Sequence, residues 1–437
     1  MKIKKILFVA AFLSGLSVPV FSQTPDERVG QLMNEENWIE LYPIYTATGD
    51  SLSPFLRDFG KALLDNFYNR PEAACASVGK LLNERQNEMG FGNTSSMIGL
   101  LASNLSKLGK NREAADLLKN FCNQIEGQVD STFLAPYRQQ EQQLRELSAF
   151  DLYQWEKSEK NLILPFVLDS TGIRLQGTLN GKEQSFVWDT GAGVNMVTPE
   201  AAKASGMKIL QAATTITGIK SGTGELALAD EVKIRELVMR NVVFHVLDIT
   251  SGHSEADKYL KQLNVILGVP ILNRLQEVTL DFQKKELSVP AKLSSSPYPV
   301  PNLCLTGGNQ LCAATLFKGN RMGLVLDTGS DGSRLGYDYY QKHSEELENA
   351  AKCDSTGVGG IGGAIRVKVY RIPDACLRIG EHTVCVDSLD VVGTPGVHTV
   401  VAFNRKGVIG MNLLERFSTV TINMKEMFVT TTPRISR

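Results

Sequence analysis

The sequence has no basic block. Its 46 Lys and Arg are offset by 47 Asp and Glu, for a formal net charge of −1. This removes the electrostatic footprint of nucleic-acid binding and the polybasic face that holds a protein on an anionic membrane. Histidine is scarce. His245, His253, His343, His382 and His398 have no metal-ligand spacing and read as surface or turn residues, so neither a metal nor a cofactor is expected. Beyond the first two dozen residues no run approaches the ~20 apolar residues a spanning helix needs.

That first run has the texture of a targeting segment. Lys2, Lys4 and Lys5 precede the apolar stretch 6–20, which is short and broken by Gly15 and Pro19, and Val20-Phe21-Ser22 offers a cleavage site before Gln23. A secretory signal peptide over 1–22 is expected, cut after Ser22, with a periplasmic or secreted mature protein. No cysteine follows the cut, so no lipid anchor is indicated and no stable membrane anchor is expected.

Export makes disulfides permissible. Of seven cysteines, Cys304 and Cys312 flank Gly307-Gly308-Asn309, and Cys376 and Cys385 flank Gly380-Glu381. Residues opposed across a hairpin have Cβ atoms ~5 Å apart, close to disulfide geometry. The other reading leaves every thiol reduced and packed as a small apolar side chain.

The 437 residues, 43% of them apolar, can fill several cores. From Pro25 to about Trp155 apolar residues recur at helical spacing, as in Phe55-Leu56 with Phe59 and Leu63-Leu64 with Phe67. Glu72-Ala73-Ala74 returns 41 residues later as Glu113-Ala114-Ala115, each between two amphipathic helices. Small alanines let paired helices approach closely, so helical hairpins of tetratricopeptide-like texture are expected. Such a region either binds a protein partner or caps the domain that follows.

After Asn161 the texture changes to short alternating strands with Gly and Asn turns, that of an all-β region. It is doubled. Phe186-Val187-Trp188-Asp189-Thr190-Gly191-Ala192 climbs from apolar residues to one acid and a tight turn. Leu324-Val325-Leu326-Asp327-Thr328-Gly329-Ser330 repeats it 138 residues on (327 − 189). A carboxylate at the end of a buried strand is costly unless it is hydrogen-bonded or has work to do. Each copy is followed by a glycine-rich hairpin, with Gly218, Gly222 and Gly224 in one and Gly357, Gly359, Gly360 and Gly362 in the other. Each then reaches two aliphatics and a glycine, Ile266-Leu267-Gly268 and Val408-Ile409-Gly410, and closes on a strand. Residues 294–301, rich in Ser and Pro, link the copies. Gly357-x-Gly359-x-x-Gly362 also fits the dinucleotide fingerprint, but Ala364-Ile365-Arg366-Val367 alternates as a strand where that motif needs a helix.

The order Asp-Thr-Gly, glycine hairpin, aliphatic pair and glycine resembles the lobe of an aspartic peptidase. Gly410-Met411-Asn412-Leu413-Leu414 is similar to the retropepsin-type segment, and two such lobes in one chain are arranged as in pepsin-like enzymes. The expected fold is multidomain: all-α helical hairpins over 23–158, then an all-β bilobal aspartic-protease fold with pseudo-twofold symmetry. Lobe one is 159–293, the linker 294–301 and lobe two 302–437. The resemblance implies that Asp189 and Asp327 share one proton and activate a water to hydrolyse an extended polypeptide. It assigns loop support to Thr190, Gly191, Ala192, Thr328, Gly329 and Ser330, and flap roles to the glycine hairpins. Ser330, at the position where the other lobe has Ala192, is expected to donate to Asp327 and favour its ionised form. Two alternatives stand beside it: an idle peptide-binding protein on the same fold, and a zymogen restrained by the helical region.

Overall fold

The computed structural model describes residues 23–217, 221–248, 260, 262–360, 363–394 and 406–434. The expected signal peptide lies outside them, as do Gly218, Gly362, His253 and His398. The chain divides into two compact units, Met1–Arg145 and Glu146–Arg437.

The first unit is helical: α1 (Pro25–Asn34), α2 (Trp38–Thr48), α3 (Pro54–Phe67), α4 (Pro71–Glu84), α5 (Gln86–Lys107), α6 (Asn111–Ile125) and the start of α7 (Ser131–Leu147). Proline at the first position of α1, α3 and α4 fixes φ where the missing N–H would have had no intrahelical partner. At α1 the Thr24 hydroxyl accepts from Glu27 N (3.3 Å) while the Glu27 carboxylate accepts from Thr24 N (2.9 Å), a capping box. The Glu-Ala-Ala triplets open α4 and α6, and Ala74, Ala114 and Ala115 are fully buried. Between them, Asn104 Nδ2 donates to Asn66 Oδ1 (2.9 Å) in the interior, where an unpaired amide would be costly. No helix among the described residues is long and apolar enough to cross a membrane.

The second unit is mainly strands: β1 (Gln154–Trp155), β2 (Leu162–Asp169), β3 (Gly172–Leu179), β4 (Lys182–Trp188), β5 (Met196–Val197), β6 (Lys208–Thr217), β7 (Ser221–Ile234), β8 (Leu237–Val246), β9 (Val265–Leu267), β10 (Glu277–Asp281) and β11 (Glu286–Val289), with helices α8 (Pro199–Ala204) and α9 (Val269–Leu275). There follow β12 (Leu303–Leu305), β13 (Leu311–Phe317), β14 (Asn320–Leu326), β15 (Arg334–Leu335), β16 (Lys352–Gly360), β17 (Gly363–Ile379), β18 (His382–Val392), β19 (Gly407–Ile409), β20 (Phe417–Asn423) and β21 (Phe428–Pro433), with α10 (Tyr337–Ala350) and α11 (Met411–Leu414). One sheet runs β3-β4-β9-β5-β8-β7-β6, with β3 also paired to β7; the other runs β13-β14-β19-β15-β18-β17-β16, with β13 also paired to β17. The second path repeats the first strand for strand. Asn180-Gly181 and Lys318-Gly319 turn the matching hairpins with both residues at positive φ, the geometry that suits the strand twist.

A further run of strands, β21-β20-β10-β11-β2, joins the two halves. At its centre β10 pairs antiparallel with β20, Thr279 opposite Thr421, their hydroxyls 2.8 Å apart. Glu277 opposes Asn423 at one end of this pairing. It is 2% exposed and accepts from Asn423 Nδ2 (2.6 Å), Ser294 N (2.8 Å) and Ser294 Oγ (2.7 Å), fastening the start of the 294–301 segment to the sheet. Glu277→Leu leaves the buried Asn423 amide without this acceptor and removes both hydrogen bonds that hold Ser294. It is expected to cost roughly 2–4 kcal/mol in urea unfolding, and a loss within ~0.5 kcal/mol of wild type would refute that role.

Two details differ from the sequence reading. The helical region was expected to end at 158, yet the chain from Glu146 belongs to the second unit. Leu147, Phe150, Leu152 and Tyr153 pack on Leu210, Leu226, Leu228 and Val243, and β1 pairs with β8. Of the two cysteine pairs, both in cross-strand register, only Cys376–Cys385 is bridged. Cys304 and Cys312 are buried thiols, not a disulfide. Burial, with a hydrogen bond to Cys312, pushes the Cys304 thiol well above its ordinary range and so withholds the thiolate that oxidation requires.

Candidate active site

β4 and β14 each end one residue before an acid. Trp188 and Leu326 lie parallel to Leu267 and Ile409, and the ladder carries on into the acids: Asp189 N donates to Leu267 O and Asp327 N to Ile409 O, both at 3.0 Å. The chain then turns so that its own amides face the carboxylate. Gly191 N (2.8 Å) and Ala192 N (3.1 Å) donate to Asp189 Oδ1, and Gly329 N (2.9 Å) donates to Asp327 Oδ1.

The two loops meet. A Cβ on Gly191 would run into the Asp327 carboxyl and one on Gly329 into that of Asp189, so only glycine lets the acids approach. Beneath them the threonines exchange hydrogen bonds: Thr190 Oγ1 donates to Leu326 O (2.8 Å) and Thr328 Oγ1 to Trp188 O (2.7 Å). Each hydroxyl also accepts the other threonine's amide at 3.1 Å. Both threonines are buried, at 1% and 0% exposed.

The carboxyls hydrogen-bond to each other. Burial raises both above the ordinary carboxylate range. Asp189 goes much further, because the Asp327 charge and that hydrogen bond add to burial. On Asp327, burial is opposed by the hydrogen bond from Asp189, by the Gly329 and Ser330 amides and by the Arg334 guanidinium. A proton on the pair is therefore favoured on Asp189 over Asp327, and the two titrate as a unit.

Asymmetry between the acids was expected from Ser330, but the cause is different. The Ser330 hydroxyl donates to Gly332 O (3.0 Å), so only its backbone reaches Asp327. The distinguishing residue is Arg334. Val187 and Met196 flank Ile266 on one rung of the first sheet, and Val325 and Arg334 flank Val408 on the same rung of the second. Met196 sits among Val187, Leu247, Leu260 and Ile266. Its counterpart is a cation that interacts with Asp327 and Asp390.

Support comes from residues the sequence reading missed. Asn195 and Ser333, each six residues past its acid, accept from Gly268 N (2.9 Å) and Gly410 N (2.8 Å), tying the acid loop to the aliphatic-glycine turn. Asn412 Oδ1 in turn accepts from Ser333 Oγ (2.7 Å). The shared offset was the signal, hidden because a lone polar residue beside a strand looks like a turn. The first hairpin of each half also rests on the opposite acid loop. Gly172 packs on Thr328 O, and Gln310 Nε2 donates to Gly191 O (2.9 Å).

Ile266, Leu267, Val408 and Ile409 lie behind the acids as β9 and β19, buried. In the first glycine hairpin Gly222 and Gly224 sit on β7 opposite Ile216 and Thr214. In the second, Gly357, Gly359 and Gly360 sit on β16 opposite Arg366, Ala364 and Gly363. The strand expected at Ala364 is β17, and no helix opens there. His245, expected at a surface or turn, is in β8 with Nδ1 3.0 Å from Thr214 Oγ1, and burial lowers it to about 4.

No curated protein matches the chain. Residues 175–271, which carry Asp189-Thr190-Gly191 and Ile266-Leu267-Gly268, match the family model described as Aspartyl protease, so this stretch is an aspartic peptidase-like domain.

Proposed function

We propose that the chain is a single-chain, bilobal aspartic endopeptidase whose lobes are the two matching sheets, related by a pseudo-twofold axis through the Thr279–Thr421 pairing. The observation that carries this reading is the hydrogen-bonded pair Asp189–Asp327, one acid from each sheet, over the crossed threonines.

Asp327, held ionised by three groups and by the proton on its partner, is the general base toward a water bound between the acids. Asp189 holds its proton toward the scissile carbonyl and neutralises charge as the tetrahedral centre forms. As that centre collapses, the proton taken up by Asp327 passes to the leaving amine, and neither acid forms a covalent bond to substrate. The glycine hairpins close over the substrate by strand-like pairing. In this reading residues 1–22 direct export and the helical unit is a docking module or cap.

The test is cleavage of unstructured peptides by the protein from Gln23 onward, across pH 3 to 8. Hydrolysis that disappears in Asp189→Asn and in Asp327→Asn supports the reading. Peptide binding without hydrolysis at any pH would overturn it.

Arg334 gives a second expectation. Removing a cation beside the base makes the base easier to protonate. In Arg334→Met the acid limb of the kcat/KM profile is therefore expected to move to higher pH, by about one unit or less. In Ser330→Ala, whose hydroxyl does not touch Asp327, the limb should stay in place. The opposite pattern would restore Ser330 as the source of asymmetry.

A further inference from the structure

In the first sheet Thr178 stands between Glu183 on β4 and Lys233 on β7, opposite charges on one rung. In the second sheet the same rung is Leu316 between Arg321 on β14 and Arg378 on β17. Residues directly opposed across strands project to the same face. Two guanidinium groups therefore share a face two strand spacings apart, ~10 Å at the backbone, close enough for long side chains to converge. Like charges so placed repel. Neither arginine has a carboxylate within 4.0 Å among the described residues, and both are exposed.

These arginines border a cavity of about 340 Å³, at the small end of the range of ligand sites. Its other walls are mainly apolar, from Pro299, Val300, Ala314 and Leu316, with Asn302 and Thr315 beside them. Tyr298 closes one side. Its hydroxyl, lodged against the Gly380 turn, is buried and has no hydrogen-bond partner among the described residues, an incomplete polar group at the edge of the cavity.

We propose that this cavity binds a small organic phosphate monoester, the phosphate held by Arg321 and Arg378 and the apolar body lying on Pro299, Val300 and Leu316. A phosphate monoester carries close to two negative charges at neutral pH, matching two guanidinium groups, and arginine's fork suits its oxygens. A carboxylate would leave one arginine uncompensated. The proposal does not depend on the peptidase reading, since none of these residues belongs to the acid loops.

The test is calorimetric titration of the protein, at low ionic strength and pH 7.5, with phenyl phosphate, benzoate and inorganic phosphate. Saturable binding of phenyl phosphate, at least tenfold tighter than either other probe, is expected. Arg321→Glu recreates the opposite-charge rung of the first sheet. It should therefore fold at least as stably as wild type and bind phenyl phosphate at least tenfold more weakly. Arg378→Gln provides the same readout if Arg321→Glu does not fold. Absence of saturable phenyl phosphate binding, equal affinity in the variants, or benzoate binding as tightly would each overturn the proposal. Inorganic phosphate binding equally well would remove the apolar half of the site and overturn it as stated.

Discussion

Replacing either acid by asparagine should lower kcat for peptide hydrolysis by roughly 10²–10⁴-fold with little change in KM, because proton transfer at the reacting centre is what is lost. Each replacement keeps an oxygen to accept the loop amides, Gly191 N and Ala192 N in one loop and Gly329 N in the other, so the fold should persist. Stability should move the other way. Burial, the Asp327 charge and the hydrogen bond to it raise the Asp189 carboxyl well above its ordinary value. A raised acid contributes stability that is fully present below the unfolded value, about 4, and is lost as pH climbs through the folded value. Asparagine mimics the protonated acid at every pH. Asp189→Asn is therefore expected to match wild type in Tm near pH 3.5 and to exceed it increasingly toward neutrality. Parallel Tm-versus-pH curves would show that the two carboxyls do not share a proton.

The second large effect belongs to Thr328. Valine keeps its shape but removes the hydroxyl that donates to Trp188 O and accepts from Thr190 N. Both groups would be left buried, each at a cost of about 1–3 kcal/mol. The expected loss is therefore roughly 2–5 kcal/mol in denaturant unfolding, with peptide hydrolysis falling at least tenfold as the acid loops separate. Thr328→Ser, which retains the hydroxyl, should recover most of both. Equal losses in valine and serine variants would assign the effect to the methyl group and its packing.

The acid pair and its glycines were legible because duplication marks them. One Asp-Thr-Gly is a common turn, whereas two in matching surroundings restrict the geometry. What the sequence concealed follows from physics that a one-dimensional pattern does not carry. Arg334 reads as an ordinary charge in a short strand, and only its place on the rung of Val325 and Val408 brings it to Asp327. The Ser330 hydroxyl is taken by the backbone carbonyl of Gly332, an acceptor two residues on that the motif does not reveal. Residues 146–155 look like the tail of a helical region because they are short and partly polar. They pack with the strands because Phe150 and Leu152 find an apolar face there. The Cys304–Cys312 pair has disulfide register, yet register does not decide oxidation when the thiol is desolvated.

The pairing of β10 with β20 has a consequence for how the molecule is assembled. Their central residues, Thr279 and Thr421, are separated by 142 positions (421 − 279). Closing a contact of that range is slow, because the chain's freedom must be given up before the contact returns anything. Until β20 arrives, β10 is a bare sheet margin with unmatched amides and carbonyls, a template for another molecule's strand. Newly made chains are therefore most prone to stick to one another in the interval before residues 417–423 dock. Crowding during synthesis, more than heat applied to the finished protein, should govern how much of it is recovered in native form.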